Sequence, residues 1–225
     1  MRDDLGMMIL QYLCLLFSLS AHEAAHAAMA NWCGDPSARL LGRMTLNPVK
    51  HIDPLGTVVL PLFAIFSTSP FLIGWAKPVP YNPRNLHNIR RDSVLIGLAG
   101  PGANLLLILS TVVVLRLVAM AVGVVGANPV VLLLLQTFVY LALINALLML
   151  FNLIPLPPLD GHHLLEAVLP PRAAEQFEKL GPFSLIILFV LVFQFHILDV
   201  PMALLSRGVF ALAFYGTPLY DVMQG

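Results

Sequence analysis

Polar residues in this chain fall in clusters, and the stretches between them are long and apolar. A bilayer crossing needs about 20 apolar residues. Runs that meet or approach this length lie at roughly 5–32, 92–122, 130–151, 183–199 and 201–216, with a further candidate at 55–75. The last two are short, and Arg207 interrupts the final one. That arginine is expected to snorkel, to pair with Asp199 or Asp221, or to face a polar cavity. Two polar stretches break the pattern. Residues 34–54 carry Arg39, Arg43, Lys50 and His51, with short alternating pieces such as Ala38-Arg39-Leu40-Leu41 that suit a strand. Residues 74–92 carry Lys77, Arg84, Arg90 and Arg91, and Pro78, Pro80 and Pro83 favour extended edge or turn structure. The two stretches are expected to pair as a small sheet at the membrane surface. The pattern predicts an all-α polytopic membrane protein with about five to six transmembrane helices and short membrane-surface β-strands. It reads as one membrane-embedded domain over 1–225, with a core over about 5–169 and accessory helices over about 183–216.

The 55–75 segment decides the topology. If it crossed, the basic loops before and after it would lie on opposite sides, against the positive-inside tendency. Pro54, Gly56, Pro61, Pro70 and Gly74 suit a broken, re-entrant path, which is tolerated where it lines protein or water. Re-entry puts both basic loops on the cytoplasmic side. It also brings the start of the 92–122 helix and the end of the 130–151 helix to the end of the first helix that carries its polar residues.

Composition narrows the class. Hydrophobic residues make up 59% of the 225, charged residues only 11%, and mean hydropathy is +0.87. A soluble domain carries about 25% charged residues, so an integral membrane protein is expected. The net charge is zero, and no basic patch points to nucleic acid. The first apolar run follows Met1-Arg2-Asp3-Asp4 directly and contains a candidate metal motif, so it is not expected to be a discarded leader. Cys14 and Cys33 suggest neither a disulfide framework nor a zinc knuckle.

The candidate motif is His22-Glu23-Ala24-Ala25-His26. Histidines four apart share one face of a helix, so both imidazoles can bind one ion. The glutamate between them can take a proton from a water on that ion. An ionisable cluster in a membrane helix costs several kcal/mol, roughly 2.5–3.5 for one Asp, so a functional reading is the default. A third ligand must come from elsewhere, with water in the fourth position. Candidates are Asp160, His162, His163, Glu166, His51, His87 and His196, and Asp160 is the strongest. It ends the segment Asn152-Leu153-Ile154-Pro155-Leu156-Pro157-Pro158-Leu159-Asp160-Gly161, whose prolines break helical hydrogen bonding beside a spanning helix. Asp160 also suits the N-cap of a helix over 161–169. His162 and His163 extend the polar shell or simply open a helix, while His51, His87 and His196 read as surface or interfacial. Asn104, in Leu98-Ala99-Gly100-Pro101-Gly102-Ala103-Asn104, needs a partner and reads first as an interhelical packing residue that could reach the motif-bearing helix.

Together these motifs resemble the site-2 protease family of intramembrane metalloproteases. The pentapeptide, Ala99–Asn104 and the Asn-x-x-Pro-x-x-x-x-Asp-Gly pattern of Asn152–Gly161 carry the resemblance. Leu46–Gly56 and Gly74–Pro80 are similar to stretches of the compact members that lack PDZ or CBS domains. The resemblance spans about 18–165. It implies a three-helix catalytic core and one Zn2+ ion with a bound water, held by His22, His26 and Asp160. Glu23 would be the general base, and Asn152 would help hold the substrate strand or the oxyanion. The implied activity is hydrolysis of peptide bonds within or near transmembrane segments of membrane proteins. The site would lie nearer the cytoplasmic face of a multi-pass protein, expected in the cell membrane. After Gly161 the chain departs from the family, which often has Gly or Ser and then Arg or His where this chain has His162-His163. An extended substrate would be expected to add to a strand edge near 38–50 or 76–82. The rival class is a membrane metal-ion transporter or sensor built on the same ligands, and Glu23 discriminates, because transport does not need a general base.

Overall fold

The computed structural model describes residues 2–67, 74–126 and 128–220. The chain runs through α1 (Arg2–Trp32), α2 (Ser37–Leu40), α3 (Leu60–Phe66), α4 (Ile89–Val125), α5 (Pro129–Asn152), α6 (His162–Val168), α7 (Pro171–Glu178), α8 (Ser184–Phe189) and α9 (Asp199–Phe214). Asn88 begins α4 by accepting from Arg91 N (3.0 Å). Asn128 begins α5 by accepting from Val130 N and Val131 N (both 3.1 Å), with Pro129 at the first helical position.

Among the described residues, three helices are long and apolar enough to cross a membrane: Leu5–Trp32, Ile89–Val122 and Pro129–Asn152. This corrects the expected five to six. The 183–199 run breaks into a short α8, a π-helical turn over Val190–Gln194, and a reversal at His196, whose φ is 51°. The 16 residues of α9 give about 24 Å, short of a hydrocarbon core of about 30 Å. A fourth span exists only if the bent pair Arg172–Phe183 and Ile186–Gln194 is taken as one crossing. Arg207 is exposed on α9, and Asp199 instead faces His196 (3.2 Å). Asp221 lies outside the described residues.

Helix α4 packs against both α1 and α5, and α9 lies against α4 and α5. Ile108 and Val112 meet Ala142, Ala146 and Val209 in one cluster, where the small alanines let the helices approach. Polar links add specificity: Asn145 Nδ2 on α5 donates to Ser18 Oγ on α1 (2.9 Å), and Tyr12 OH donates to the Thr57 carbonyl (2.7 Å).

The 55–75 candidate begins as a π-helical segment, Pro54–Val59, continues as α3, and passes through residues 68–73, which lie outside the described residues. Its two ends lie together. Trp75 N donates to Gly56 O (3.3 Å) and Lys77 N to His51 O (2.9 Å).

No strand forms among the described residues, so the expected surface sheet is corrected. Residues 38–41 fall mainly in a helical turn, α2. Residues 74–82 are extended but form no ladder, and several of their donors are already committed. Lys77 N serves His51 O, Val79 N serves Glu23, and Pro78 and Pro80 have no N–H. Between Lys77 and Pro80 nothing is left to donate to an added strand. The buried Arg43 guanidinium clasps this segment from the other side, donating to the carbonyls of Lys50, Lys77 and Pro78.

Candidate active site

His22 and His26 project from one face of α1, both buried, with their Nε2 atoms 3.0 Å apart. Their Nδ1 atoms are tied outward to α4. His26 Nδ1 lies 2.7 Å from the Ile96 carbonyl and His22 Nδ1 lies 3.0 Å from Asn104 Oδ1. Both partners are acceptors, so each Nδ1 carries the proton and each Nε2 keeps a lone pair. Ile96, Gly100 and Asn104 are four apart and share one face of α4. The outer two hold the rings, and Gly100 lies between, against both imidazoles. A Cβ there would come 2.5 Å from His22 Nε2 and nearer still to His26 Nε2.

Asp160 reaches the pair from the segment after α5. Three prolines keep 153–161 out of helix, and Gly161 N closes the loop onto Asn152 O (2.7 Å). Gly161 is required by packing, since a Cβ would sit 2.6 Å from the Ile154 carbonyl. The Asp160 carboxylate lies 3.1 Å from His22 Nε2 and 3.3 Å from His26 Nε2. It does not cap α6, whose N-cap is Gly161 without a side-chain bond. Asp160 Oδ2 is buried without a hydrogen-bond partner, because the imidazole nitrogens facing it bear lone pairs. Two imidazole nitrogens and a carboxylate, all electron donors and 3.0–3.3 Å apart, fit a divalent cation of the zinc class.

Glu23, half-buried, accepts from Val79 N (3.0 Å) on the extended segment. Asn152 is not joined to this cluster. Its Nδ2 donates to Leu148 O (3.0 Å), back along α5, and its carbonyl anchors Gly161. His162, His163 and Glu166 form a separate group on α6. Burial, reinforced by the neighbouring His162, pushes the His163 imidazole down to about 4. His51, expected at the surface, is buried and bonds to the Thr45 carbonyl (2.8 Å), whereas His87 and His196 are exposed, as expected. Sequence reasoning missed three contributors: the Ile96 carbonyl, the Val79 N–H and the close approach of Gly100. Backbone donors and acceptors leave no mark in composition. The spacing of Gly100 and Asn104 on one helix face was the available signal.

The profile of peptidase family M50 matches residues 117–193, which include the Asp160 loop. Over 188 residues the chain is 37% identical to the "Putative zinc metalloprotease YwhC" of Bacillus subtilis, covering 83% of this chain and 81% of that protein. It is 28% identical over 187 residues to the "Putative zinc metalloprotease Rip2" of Mycolicibacterium smegmatis, covering 83% of this chain and 68% of that protein. It is 30% identical over 176 residues to the protein of the same name in Mycobacterium tuberculosis, covering 78% and 63%. No solved structure matches the chain. With a relative matched over most of both lengths and the family profile falling on the loop that carries Asp160, the chain belongs to peptidase family M50, the site-2 protease family.

Proposed function

We propose that this M50 peptidase is an intramembrane zinc metalloprotease that hydrolyses peptide bonds within or next to transmembrane segments of other membrane proteins. The observation that carries the reading is the convergence of His22 Nε2, His26 Nε2 and Asp160 on one point of a membrane-length helix, with Glu23 one residue away on that helix. One Zn2+ held by these three residues would supply Lewis acidity, which lowers the pKa of water to about 7. Ile96 and Asn104 keep both imidazoles in the tautomer that presents Nε2. Glu23 accepts the proton of the attacking water and passes it to the leaving amine; the Val79 N–H holds its carboxylate in place meanwhile. Asn152 takes the role of a substrate or oxyanion donor by turning its Nδ2 away from Leu148. The basic residues Lys50, Lys77, Arg84, Arg90 and Arg91 flank the end of α1 and the start of α4. This supports a site nearer the cytoplasmic face of the cell membrane.

The test is cleavage of a panel of single-span proteins by the purified chain and by Glu23→Gln, with metal analysis of both. Glu23→Gln should lose about 10²–10⁴-fold in rate while keeping its zinc. Retained cleavage would overturn the assignment of the base. Metal flux across vesicles that persists in Glu23→Gln, with no cleavage by the unaltered chain, would favour a transporter instead.

A further inference from the structure

We propose that His162, His163 and Glu166 form a second site for a divalent transition-metal ion of the zinc class, separate from the one at His22, His26 and Asp160. The three residues sit at i, i+1 and i+4 on α6, and each offers one ligand atom within 4.8 Å of the others. His162 Nδ1 lies 2.6 Å from the Leu159 carbonyl, which can only accept, so Nδ1 carries the proton and Nε2 is left as a free donor atom. That Nε2 is 3.9 Å from Glu166 Oε2. His163 Nδ1 is 3.8 Å from the same oxygen and is buried with no hydrogen-bond partner. The two rings lie tilted together with centroids 3.8 Å apart.

Bond lengths of about 2.0–2.1 Å in a tetrahedral site imply ligand atoms roughly 3.3–3.4 Å apart. The two nitrogen–oxygen separations, 3.8 and 3.9 Å, therefore need to close by about half an ångström, and the nitrogen–nitrogen pair, within 4.8 Å, by at most about 1.5 Å, through side-chain rotations. An orphaned imidazole nitrogen facing a carboxylate is unfavourable as it stands, and a cation between them satisfies both. Two imidazoles with one carboxylate suit zinc better than magnesium or calcium, which take all-oxygen sites. The cluster borders a cleft of about 360 Å³ shared with Tyr81, Ser93 and Glu178. The remaining coordination position therefore opens to water, which makes the ion exchangeable. This inference does not rest on proteolytic activity.

The test uses the full chain in detergent, stripped with chelator, titrated with Zn2+ or Co2+, desalted and analysed for metal, with Co2+ absorption as a second readout. The unaltered chain should hold two equivalents. The double variant His162→Ala/Glu166→Gln should hold one, and His26→Ala should lose the other. His163 is left in place to spare its packing, and the equivalent retained by the double variant reports that its fold is intact. One equivalent at saturating metal in the unaltered chain, removed by His26→Ala, overturns the second site. Two equivalents retained in the double variant overturn it as well. If only the α1 assignment were wrong, an equivalent sensitive to the double variant would remain.

Discussion

Gly100 and Gly102 flank the same proline in α4, yet the structure gives them opposite importance. A Cβ at Gly100 would lie 2.5 Å from His22 Nε2 and closer still to His26 Nε2, whereas a Cβ at Gly102 meets nothing within 4 Å. Carbon and nitrogen in ordinary contact stay roughly 3.4 Å apart, so Gly100→Ala must push the rings by about 0.9 Å. Metal–ligand distances tolerate about 0.2 Å, and a displacement of about 1 Å at a reacting centre costs on the order of 10²-fold in rate. Gly100→Ala is therefore expected to lower cleavage by about 100-fold, equivalent to about 2.7 kcal/mol of transition-state stabilisation. Zinc affinity should fall by about 10–100-fold. Gly102→Ala should stay within about twofold on both counts and gain slightly in helix stability. The assays are single-turnover cleavage of a single-span substrate and competitive zinc titration on the paired variants. Equal loss in the two variants, or full zinc affinity in Gly100→Ala, would refute the packing argument.

Asn104→Leu is expected to weaken the site while leaving the fold almost unchanged. It removes the acceptor that orients His22, which should cost about 10–100-fold in zinc affinity. It also removes Asn104 Nδ2, a buried donor without a partner, so the unfolding midpoint of the metal-free protein should barely move. Asp35 offers a pH test. Burial would raise its carboxyl, but hydrogen bonds from Ser37, Asn85 and Asn82 N hold it below its ordinary value. Its stabilisation is thus fully present above the unfolded value of about 3.9 and is lost as pH falls through the lower folded value. Unfolding followed from pH 6 to pH 3 should show a decline that Asp35→Asn flattens, and parallel curves would refute this.

What could be read from the sequence was chemistry confined to one element. The pentapeptide needed only helical periodicity, and Asp160 stood out because three prolines freed it from a helix. Relations between elements stayed hidden. Alternation at 38–41 and prolines at 78 and 80 suggested strands, but strand formation depends on unspent N–H groups, and those of Lys77 and Val79 are taken by His51 and Glu23. The span count failed for another reason. Hydropathy registers apolar content but not breaks, and the 183–199 run is interrupted by the π-helical turn at Val190–Gln194 and by His196. His51 looked like a surface residue because nothing local shows that the Thr45 carbonyl folds over it. Asn104 was legible as a polar residue in need of a partner, while its role in fixing the His22 tautomer required the geometry of α1 against α4.

The buried polar atoms left without partners among the described residues gather near these sites. Asn104 Nδ2, Asp160 Oδ2 and His163 Nδ1 lie along the contact of α1, α4 and the loop leading into α6, whereas only His51 Nδ1 and Asn145 Oδ1 lie elsewhere. Each such group costs about 1–3 kcal/mol when left unpaired. A fold that concentrates this cost beside the proposed metal ligands suits occupancy, and an ion bound there would contribute to folding as well as to chemistry. Mass action fixes the size of the effect: a ligand at 100 times its dissociation constant stabilises by about 2.7 kcal/mol. Chelation should therefore abolish cleavage and lower the unfolding midpoint, and added zinc should restore both. His26→Ala should unfold at a midpoint much less sensitive to chelator, because it lacks the principal site. A midpoint in the unaltered chain that does not respond to zinc would show that the ligands are held in place by the protein alone.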